Sequence, residues 1–413
     1  CIESMCRFSP TDNLATISAS IYTDKSKKIT SQVSLSNGDW TNNENLLKQF
    51  EVNKGSFSTT KNYYSGKSVA FGSLYTFTVQ GKEVVIPSIR AFGHDSTQSI
   101  QILKDALLKT PKGIIEETNK RFNDWLQSGI VPQLNDQDAL DLYYKSLLVL
   151  KNSQNPAVGT ICSSLHIHYG NRNWMRDAIM AAFMLDASGH HAEFKLFMDW
   201  AETAELEEKG GFHTAYNTFT GLVDLFIEPQ YDSSGLFLIA MNYHLQCFGD
   251  REWVKKKLPR LDQIAKLLMS RKYRDKLGPD DRSPWEELTD HHTKEFISSQ
   301  FFPWTMGHFY GGLRALSKIH QTLNTTVSLC KDYLERAEEI RTATIKHLWD
   351  SQNERLYRGR WALTFKPDER AESATLSCIF TGLLEGNMAL SQIPSFLIQQ
   401  ATTTVAKDRE MRA

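Results

Sequence analysis

The stretch Trp174-Met175-Arg176-Asp177-Ala178-Ile179-Met180-Ala181-Ala182-Phe183-Met184-Leu185 decides how this chain folds. After Asp177 it is almost wholly apolar as far as Gly189, which predicts a helix buried on every side. The residues beyond Gly189 behave differently. Phe194, Phe197, Met198 and Ala201 recur at i, i+3, i+4 and i+7 with Glu193, Lys195 and Asp199 between them, the pattern of an amphipathic outer helix. An inner and an outer helix joined at Gly189 make one hairpin.

The hairpin recurs along the chain. From Leu236 to Leu245 the sequence is apolar, Gly249 breaks it, and from Trp253 to Leu268 it is amphipathic. The unit returns from Phe301 to Ile319 followed by Val327 to Trp349, and less clearly from Ala374 to Leu384 followed by Ile393 to Val405. Units of this kind bury their apolar faces only against neighbours, so the alternation predicts a toroid of hairpins. Residues just ahead of each inner helix then gather at one end. Asp177, Asp232, Glu286 and Glu372 hold that place in four successive units and are expected to line one mouth. Pro132, Asn135 and Asp136 mark the entry to the first barrel helix, with Leu140, Tyr143, Tyr144, Leu147 and Leu148 on its inner face.

One of the four positions carries a chemical suggestion of its own, Trp285-Glu286-Glu287. A glycosidic oxygen leaves only if it is protonated as its bond breaks, which requires a carboxylic acid still protonated near neutral pH. An adjacent indole excludes water and a neighbouring carboxylate adds negative charge, and both favour the protonated form of Glu286. Three residues alone are a weak signal, since such triplets also occur as exposed acidic turns. Their place in the repeat makes Glu286 a candidate acid for chemistry on sugars.

From about Lys112 onward the chain resembles glycoside hydrolase family 15. The glucoamylases and related α-glucosidases of that family carry, in order, W-x-R-D, W-x-x-P-Q-x-D-x-x-G, W-E-E and an acidic D-A-S-L-like segment. The corresponding stretches here are Trp174 to Asp177, Phe226 to Gly235, Trp285 to Glu287, and Glu372-Ser373-Ala374-Thr375-Leu376. Arg121-Phe122-Asn123-Asp124-Trp125-Leu126 is similar to the linker between that family's β-domain and its (α/α)6 barrel. The resemblance implies a multidomain α+β chain: a partial N-terminal β-sandwich at 1–94, a helical linker at 95–133, and an (α/α)6 glycosidase barrel at 134–413 that is incomplete at its C-terminus.

It also implies an exo-acting inverting α-glucosidase that releases glucose from the non-reducing end of α-glucans or α-glucosides, with no metal and no organic cofactor. Glu286 would be the general acid and Glu287 would bind substrate. Arg176 and Asp177 would read the hydroxyls of the terminal glucose. Trp174 and Trp285 would wall the pyranose, and Gln230 and Asp232 belong to the same pocket. Arg370 and Glu372 reach the mouth by the loosest of the four matches. Nine barrel helices are read from Asp136 onward where the toroid has twelve. The general base is therefore expected beyond Ala413, since Glu385 and Glu410 match poorly.

Three departures from the family pattern leave linkage open among α-1,4-glucans, α-1,6-linked isomaltosides and trehalose. Gly170 stands where the family has Tyr, with Tyr169 one step earlier to take its place. Phe226 replaces a Trp platform, and Ser283-Pro284 replace Asp-Leu ahead of the acid. A second reading is a non-catalytic barrel that binds oligosaccharide or a protein partner, resembling the barrels of phosphorylase kinase subunits.

Composition removes other classes. The formal charge is −1 without a basic block, which gives no footprint for nucleic acid or anionic membrane. No uninterrupted apolar run reaches about 18 residues, so no membrane-spanning helix is expected. Six dispersed cysteines demand no disulfide framework and slightly favour the cytoplasm, although compartment and oligomeric state carry no decisive signal. His190-His191 and His291-His292 lack H-E-x-x-H spacing and read as loop histidines. Near the start, Ala15, Ile17, Ala19 and Ile21 alternate as in a half-buried strand. Tyr75, Phe77 and Val79 followed by Val84-Val85-Ile86 predict a hairpin around Gly81. This β-domain, opening on Cys1, is expected to continue upstream, and from Asp95 to Trp125 the spacing turns helical.

Overall fold

The structure, a computed structural model, describes residues 2–8, 15–20, 30–37, 63–66, 69–76, 88–93, 96–164, 170–208, 210–224, 230–270, 274–281, 299–370 and 372–393. Contacts divide the chain into two compact units, Cys1–Trp125 and Leu126–Ala413.

The first unit contains β1 (Ile2–Phe8), β2 (Ala15–Ser20), β3 (Thr30–Asn37), β4 (Tyr63–Gly66), β5 (Val69–Thr76) and β6 (Ser88–Gly93). One sheet has the order β4-β1-β2-β6, antiparallel except for the parallel β1–β4 pair, and β3 pairs antiparallel with β5. The alternation from Ala15 forms β2, in register with β1 from Ile2↔Ser20 to Arg7↔Ala15. The hairpin expected around Gly81 lies outside the described residues. The helical stretch after Asp95 divides into α1 (Ser96–Leu107), which packs on β2 and β6, and α2 (Pro111–Ser128). The division falls at Pro111, whose missing N–H is harmless at a first helical position. Thr110 Oγ1 accepts the Gly113 N–H at 3.0 Å.

The second unit is built from hairpins. Helix α3 (Gln137–Ser153) starts where Asp136 accepts the Asp138 and Ala139 N–H groups at 2.9 and 3.2 Å. Its expected inner stripe is buried at Leu147 and half-buried at Leu140, Tyr143, Tyr144 and Leu148. Next come the inner–outer pairs: α4 (Met175–Ala187) with α5 (His191–Thr203), α6 (Asp232–Phe248) with α7 (Arg251–Ser270), and α8 (Pro303–Leu323) with α9 (Val327–Leu348). Helix α6 packs between α4 and α8. On α5, Phe194, Phe197, Met198 and Ala201 are all fully buried. Gly249, in the left-handed region at φ 71°, ends α6 and turns the chain into α7.

Two expectations need correction. Helices α6 and α8 are buried nearly all round, but α4 is not: Asp177 is exposed and Met184 is 44% exposed. The open face is apolar because it lines a cavity of about 510 Å³ with Val149, Leu150 and Ser153 of α3 and Ile161 and Cys162. The fourth inner helix, expected from Ala374 to Leu384, is a 3-10 turn (Ser373–Leu376) and the short α10 (Ser377–Phe380). Gly382, at φ 74°, stops it. Helix resumes at 386–393, earlier than the expected start at Ile393.

Inner helices α6 and α8 touch backbone to backbone. A Cβ on Gly235 would overlap the His308 carbonyl oxygen, and one on Gly312 would sit 2.7 Å from Gly235 Cα. Short strands prepare the helix starts. β7 (Arg172–Trp174) pairs with β8 (Ala215–Asn217) just ahead of α4, and β9 (Gln300–Phe301) lies just ahead of α8. β10 (Trp349–Asp350) and β11 (Arg355–Leu356) pair after α9, while β12 (Gly359–Trp361) and β13 (Pro367–Asp368) extend β9 into a sheet of order β13-β12-β9. Among the described residues no helix is long and apolar enough to cross a membrane. Cys162, Cys247, Cys330 and Cys378 are free thiols.

Candidate active site

The starts of α4, α6 and α8 converge. Arg176, second in α4, donates from Nε to Asp232 Oδ2 at 2.5 Å and from Nη2 to Oδ1 at 3.4 Å. Asp232 is the first residue of α6 and is fully buried. Trp304, second in α8, donates its indole N–H to the same Oδ2 at 2.7 Å, and its ring centroid lies 5.8 Å from the Arg176 guanidinium carbon. Three successive inner helices thus contribute a cation, an anion and an aromatic ring to one cluster. A carboxylate at a helix N-terminus is favoured by the exposed N–H groups there. Burial pushes Asp232 up, but the charge and hydrogen bonds of Arg176, the charge of His308 and the Trp304 N–H outweigh it and keep the carboxyl ionised. His308, one turn into α8, points Nδ1 at the Trp304 carbonyl at 2.8 Å, and burial lowers its pKa.

A second carboxylate stands beside this cluster. Asp281 Oδ2 accepts the Tyr231 N–H at 3.0 Å and the Thr305 hydroxyl at 2.9 Å. Burial, and then the negative charge of Asp232, push Asp281 up to about 8. The two buried carboxylates therefore divide their roles, Asp232 ionised and Asp281 holding a proton.

From Asp281 a polar chain leads onward. Asp281 and Gln300 exchange both backbone hydrogen bonds, at 2.8 and 2.9 Å, and Gln300 Nε2 donates to Asp368 Oδ2 at 3.1 Å. Asp368 also receives Arg358 Nη1 at 3.1 Å and Arg370 Nη2 at 2.6 Å. Burial raises its pKa, but the bonds from Arg370 and Gln300 and the charges of both arginines hold it down at about 2. Arg358 Nε reaches Glu372 Oε2 at 3.2 Å, and Glu372 caps the turn that leads into α10.

The sequence-expected positions fall as follows. Arg176 and Asp232 share the first cluster, and Arg370 and Glu372 belong to the polar chain that leads from Asp281. Asp177 is exposed on the cavity side of α4. Trp174 and Gln230 are buried and bonded to each other, the indole N–H donating to Gln230 Oε1 at 2.9 Å. Tyr169, Phe226, Trp285, Glu286 and Glu287 lie outside the described residues. Asp281 and Gln300 are the positions between which the chain carrying Trp285-Glu286-Glu287 runs. The sequence reading missed Trp304, His308, Asp281, Asp368 and Arg358. For Trp304 a signal existed. Pro303 marks a helix start, and the rule that selected Asp177 and Asp232 by their place in the repeat points equally to the residue after it.

The same fold occurs in sugar-active proteins. A bacterial glucoamylase complexed with acarbose superposes with a TM-score of 0.64 at 16% identity, over 93% of this chain and 56% of its own. A rhamnosidase from Klebsiella oxytoca with rhamnose bound superposes with a TM-score of 0.53 at 11% identity, over 92% of this chain and 70% of its own. The chain spans about half the length of the bacterial glucoamylase. At such identities the likeness is one of fold, a glucoamylase-like helical barrel. No family sequence profile and no curated protein matches the chain by sequence.

Proposed function

We propose that this chain carries the sugar-binding end of an inverting, exo-acting α-glucosidase of glycoside hydrolase family 15, with a β-domain at 1–94, a linker at 95–133 and the barrel from 134. The observation that supports this best is the meeting of Arg176, Asp232 and Trp304 at the starts of three successive inner helices. A guanidinium beside an indole face suits a neutral polyol, which it meets by hydrogen bonds and stacking. In this reading Asp232 and Gln230 act from behind: Asp232 aims Arg176 and Trp304, and Gln230 fixes the Trp174 ring. Arg358 does the same for Glu372.

Glu286 is the general acid of the proposal. It lies five positions after Asp281, so extended chain places its Cα at most about 18 Å from that of Asp281. It protonates the departing oxygen while water attacks the opposite face of the ring, a geometry in which acid and base stand about 6.5 to 9.5 Å apart. The base is not assigned. Substrates are α-glucans or α-glucosides, and acarbose, the ligand of the bacterial glucoamylase, is the natural probe.

The test is calorimetry with acarbose together with hydrolysis of maltose, isomaltose and trehalose, following the anomer of the released glucose by NMR. From a protein that carries the general base, the glucose cut from the non-reducing end is expected as the β-anomer. Release of the non-reducing-end glucose as the α-anomer would overturn inversion, and acarbose binding with no turnover of any α-glucoside would favour a barrel that only binds oligosaccharide.

A further inference from the structure

A second cluster stands at the other end of the inner helices. Asp186 lies in the last turn of α4, His191 opens α5, and His244 is in the last turns of α6. Asp186 Oδ1 is 2.7 Å from His191 Nδ1 and 2.9 Å from His244 Nδ1, and Oδ2 is 3.0 Å from His244 Nδ1. One donor atom from each residue fits within 4.8 Å of the other two. We propose that Asp186, His191 and His244 form a site for one borderline divalent transition-metal ion of the zinc class.

Three features carry this. The first is convergence: tetrahedral zinc, with bonds of about 2.0 to 2.1 Å, sets its ligand atoms about 3.3 Å apart. The two carboxylate–imidazole distances, 2.7 and 2.9 Å, need to open by only about half an ångström to accept the ion. The second is the state of His244. Its ring is 1% exposed, and when Nδ1–H is spent on Asp186, Nε2 finds no hydrogen-bond partner among the described residues. Asp250 Oδ2 stands 3.6 Å from it, held by Lys195. A metal on Nδ1 reverses this arrangement. The ring proton then sits on Nε2 and faces Asp250, the carboxylate-backed imidazole typical of metal ligands. The third is the setting. Phe194 stacks on His244 at 4.9 Å and Phe248 packs on His191 at 4.1 Å, which fixes both rings. The His191 side chain is 38% exposed, leaving an entry path and a fourth position for water.

Two imidazoles and one carboxylate suit Zn²⁺, Co²⁺ or Ni²⁺ rather than Mg²⁺ or Ca²⁺, which prefer oxygen. The site is ten residues beyond Arg176 on α4, about 15 Å along the helix, and its occupancy is independent of the sugar chemistry proposed above. A bound ion would staple the α4–α5 turn to α6, joining two successive hairpins. Binding only the folded state, it would raise the melting temperature.

The experiment uses the untagged chain freed of metal with EDTA. Co²⁺ is titrated while the visible d–d absorption is followed, Zn²⁺ is added in competition, and melting is recorded with Zn²⁺ and with Mg²⁺. Expected are one Co²⁺ per chain, displacement by Zn²⁺, and a rise in melting temperature with Zn²⁺ alone. His191→Gln, at a half-exposed position, should weaken Co²⁺ binding at least tenfold and keep the melting temperature of the metal-free wild type. Anomalous diffraction at the zinc edge from soaked wild-type crystals should place the ion among the three residues. Absence of a stoichiometric Co²⁺ band, equal affinity in His191→Gln, or an anomalous peak elsewhere would each overturn the site and leave a plain His–Asp–His hydrogen-bond bridge.

Discussion

The two ends of the inner helices meet one problem, buried carboxylates, with different partners. At the N-terminal end Asp232 is held by Arg176, and Asp368 and Glu372 by Arg358. At the C-terminal end Asp186 is held by His191 and His244. Arginine stays charged at every physiological pH, so the mouth is a fixed electrostatic frame. Histidine can give up a hydrogen bond to ligate a metal ion, so the other end can change partners. The helix dipole sharpens the contrast. A carboxylate is welcome near a helix start and unwelcome near a helix end, and Asp186 at the end of α4 is where a cation would gain most.

Breaking the arginine end should have the largest effect. Arg176→Met leaves Asp232 buried and uncompensated and should cost about 3 to 5 kcal/mol in urea denaturation. Adding Asp232→Asn should recover much of that loss; if it recovers none, the pair is not what Arg176 contributes. Next comes the chemistry. Glu286→Gln should lower kcat on maltose by about 100-fold or more, whereas His191→Gln should leave it unchanged. Similar activity of Glu286→Gln and wild type would remove Glu286 from the mechanism.

A smaller effect separates the mouth's own carboxylates by pH. Asp281 rises from an ordinary 3.8 to about 8 on folding, so the folded chain holds a proton that the unfolded chain releases. Stability from this group is complete below about pH 4 and is lost as pH rises toward 8. Asp281→Asn should match wild type near pH 4 and exceed it near pH 8, by on the order of 1 kcal/mol or more. Asp368, depressed to about 2, acts oppositely: its contribution is present above pH 4 and lost as pH falls toward 2. Denaturation curves at pH 4 and 8 decide the first, and a variant less stable than wild type at pH 8 would show Asp281 ionised. The smallest effect is at Phe226. Phe226→Trp should raise kcat/KM for maltopentaose over maltose by a few fold through added ring area, and an unchanged ratio would argue against a stacking platform.

The hairpins were legible because burial writes itself into sequence as period: the stripe of Phe194, Phe197, Met198 and Ala201 could hardly mean anything else. The open flank of α4 was not legible, since an apolar residue facing a cavity reads the same as one facing a helix. Asp232 could be found from its place in the repeat, and Arg176 from the resemblance of Trp174 to Asp177 to a known motif. Trp304 was hidden by its apolar surroundings, which made it look like core. Asp281 is bonded across 24 residues to Thr305 and 50 to Tyr231, and Asp368 across 68 to Gln300, and no local pattern encodes such pairing. Likewise His191 was read against a motif in which one helix supplies both histidines, whereas here they come from two.

The glycine contact between α6 and α8 has a consequence for inheritance. Gly235 lies three residues from Asp232, and Gly312 eight from Trp304, and neither glycine belongs to the set of side chains that would meet a sugar. Yet a single methyl group at either position wedges apart the two helices that carry those residues, and overpacking of this kind costs about 1 to 3 kcal/mol before any local shift is counted. In a screen for lost activity, alleles at these two codons would be recovered beside those of the reactive residues. They would mark the boundary within which this barrel can vary.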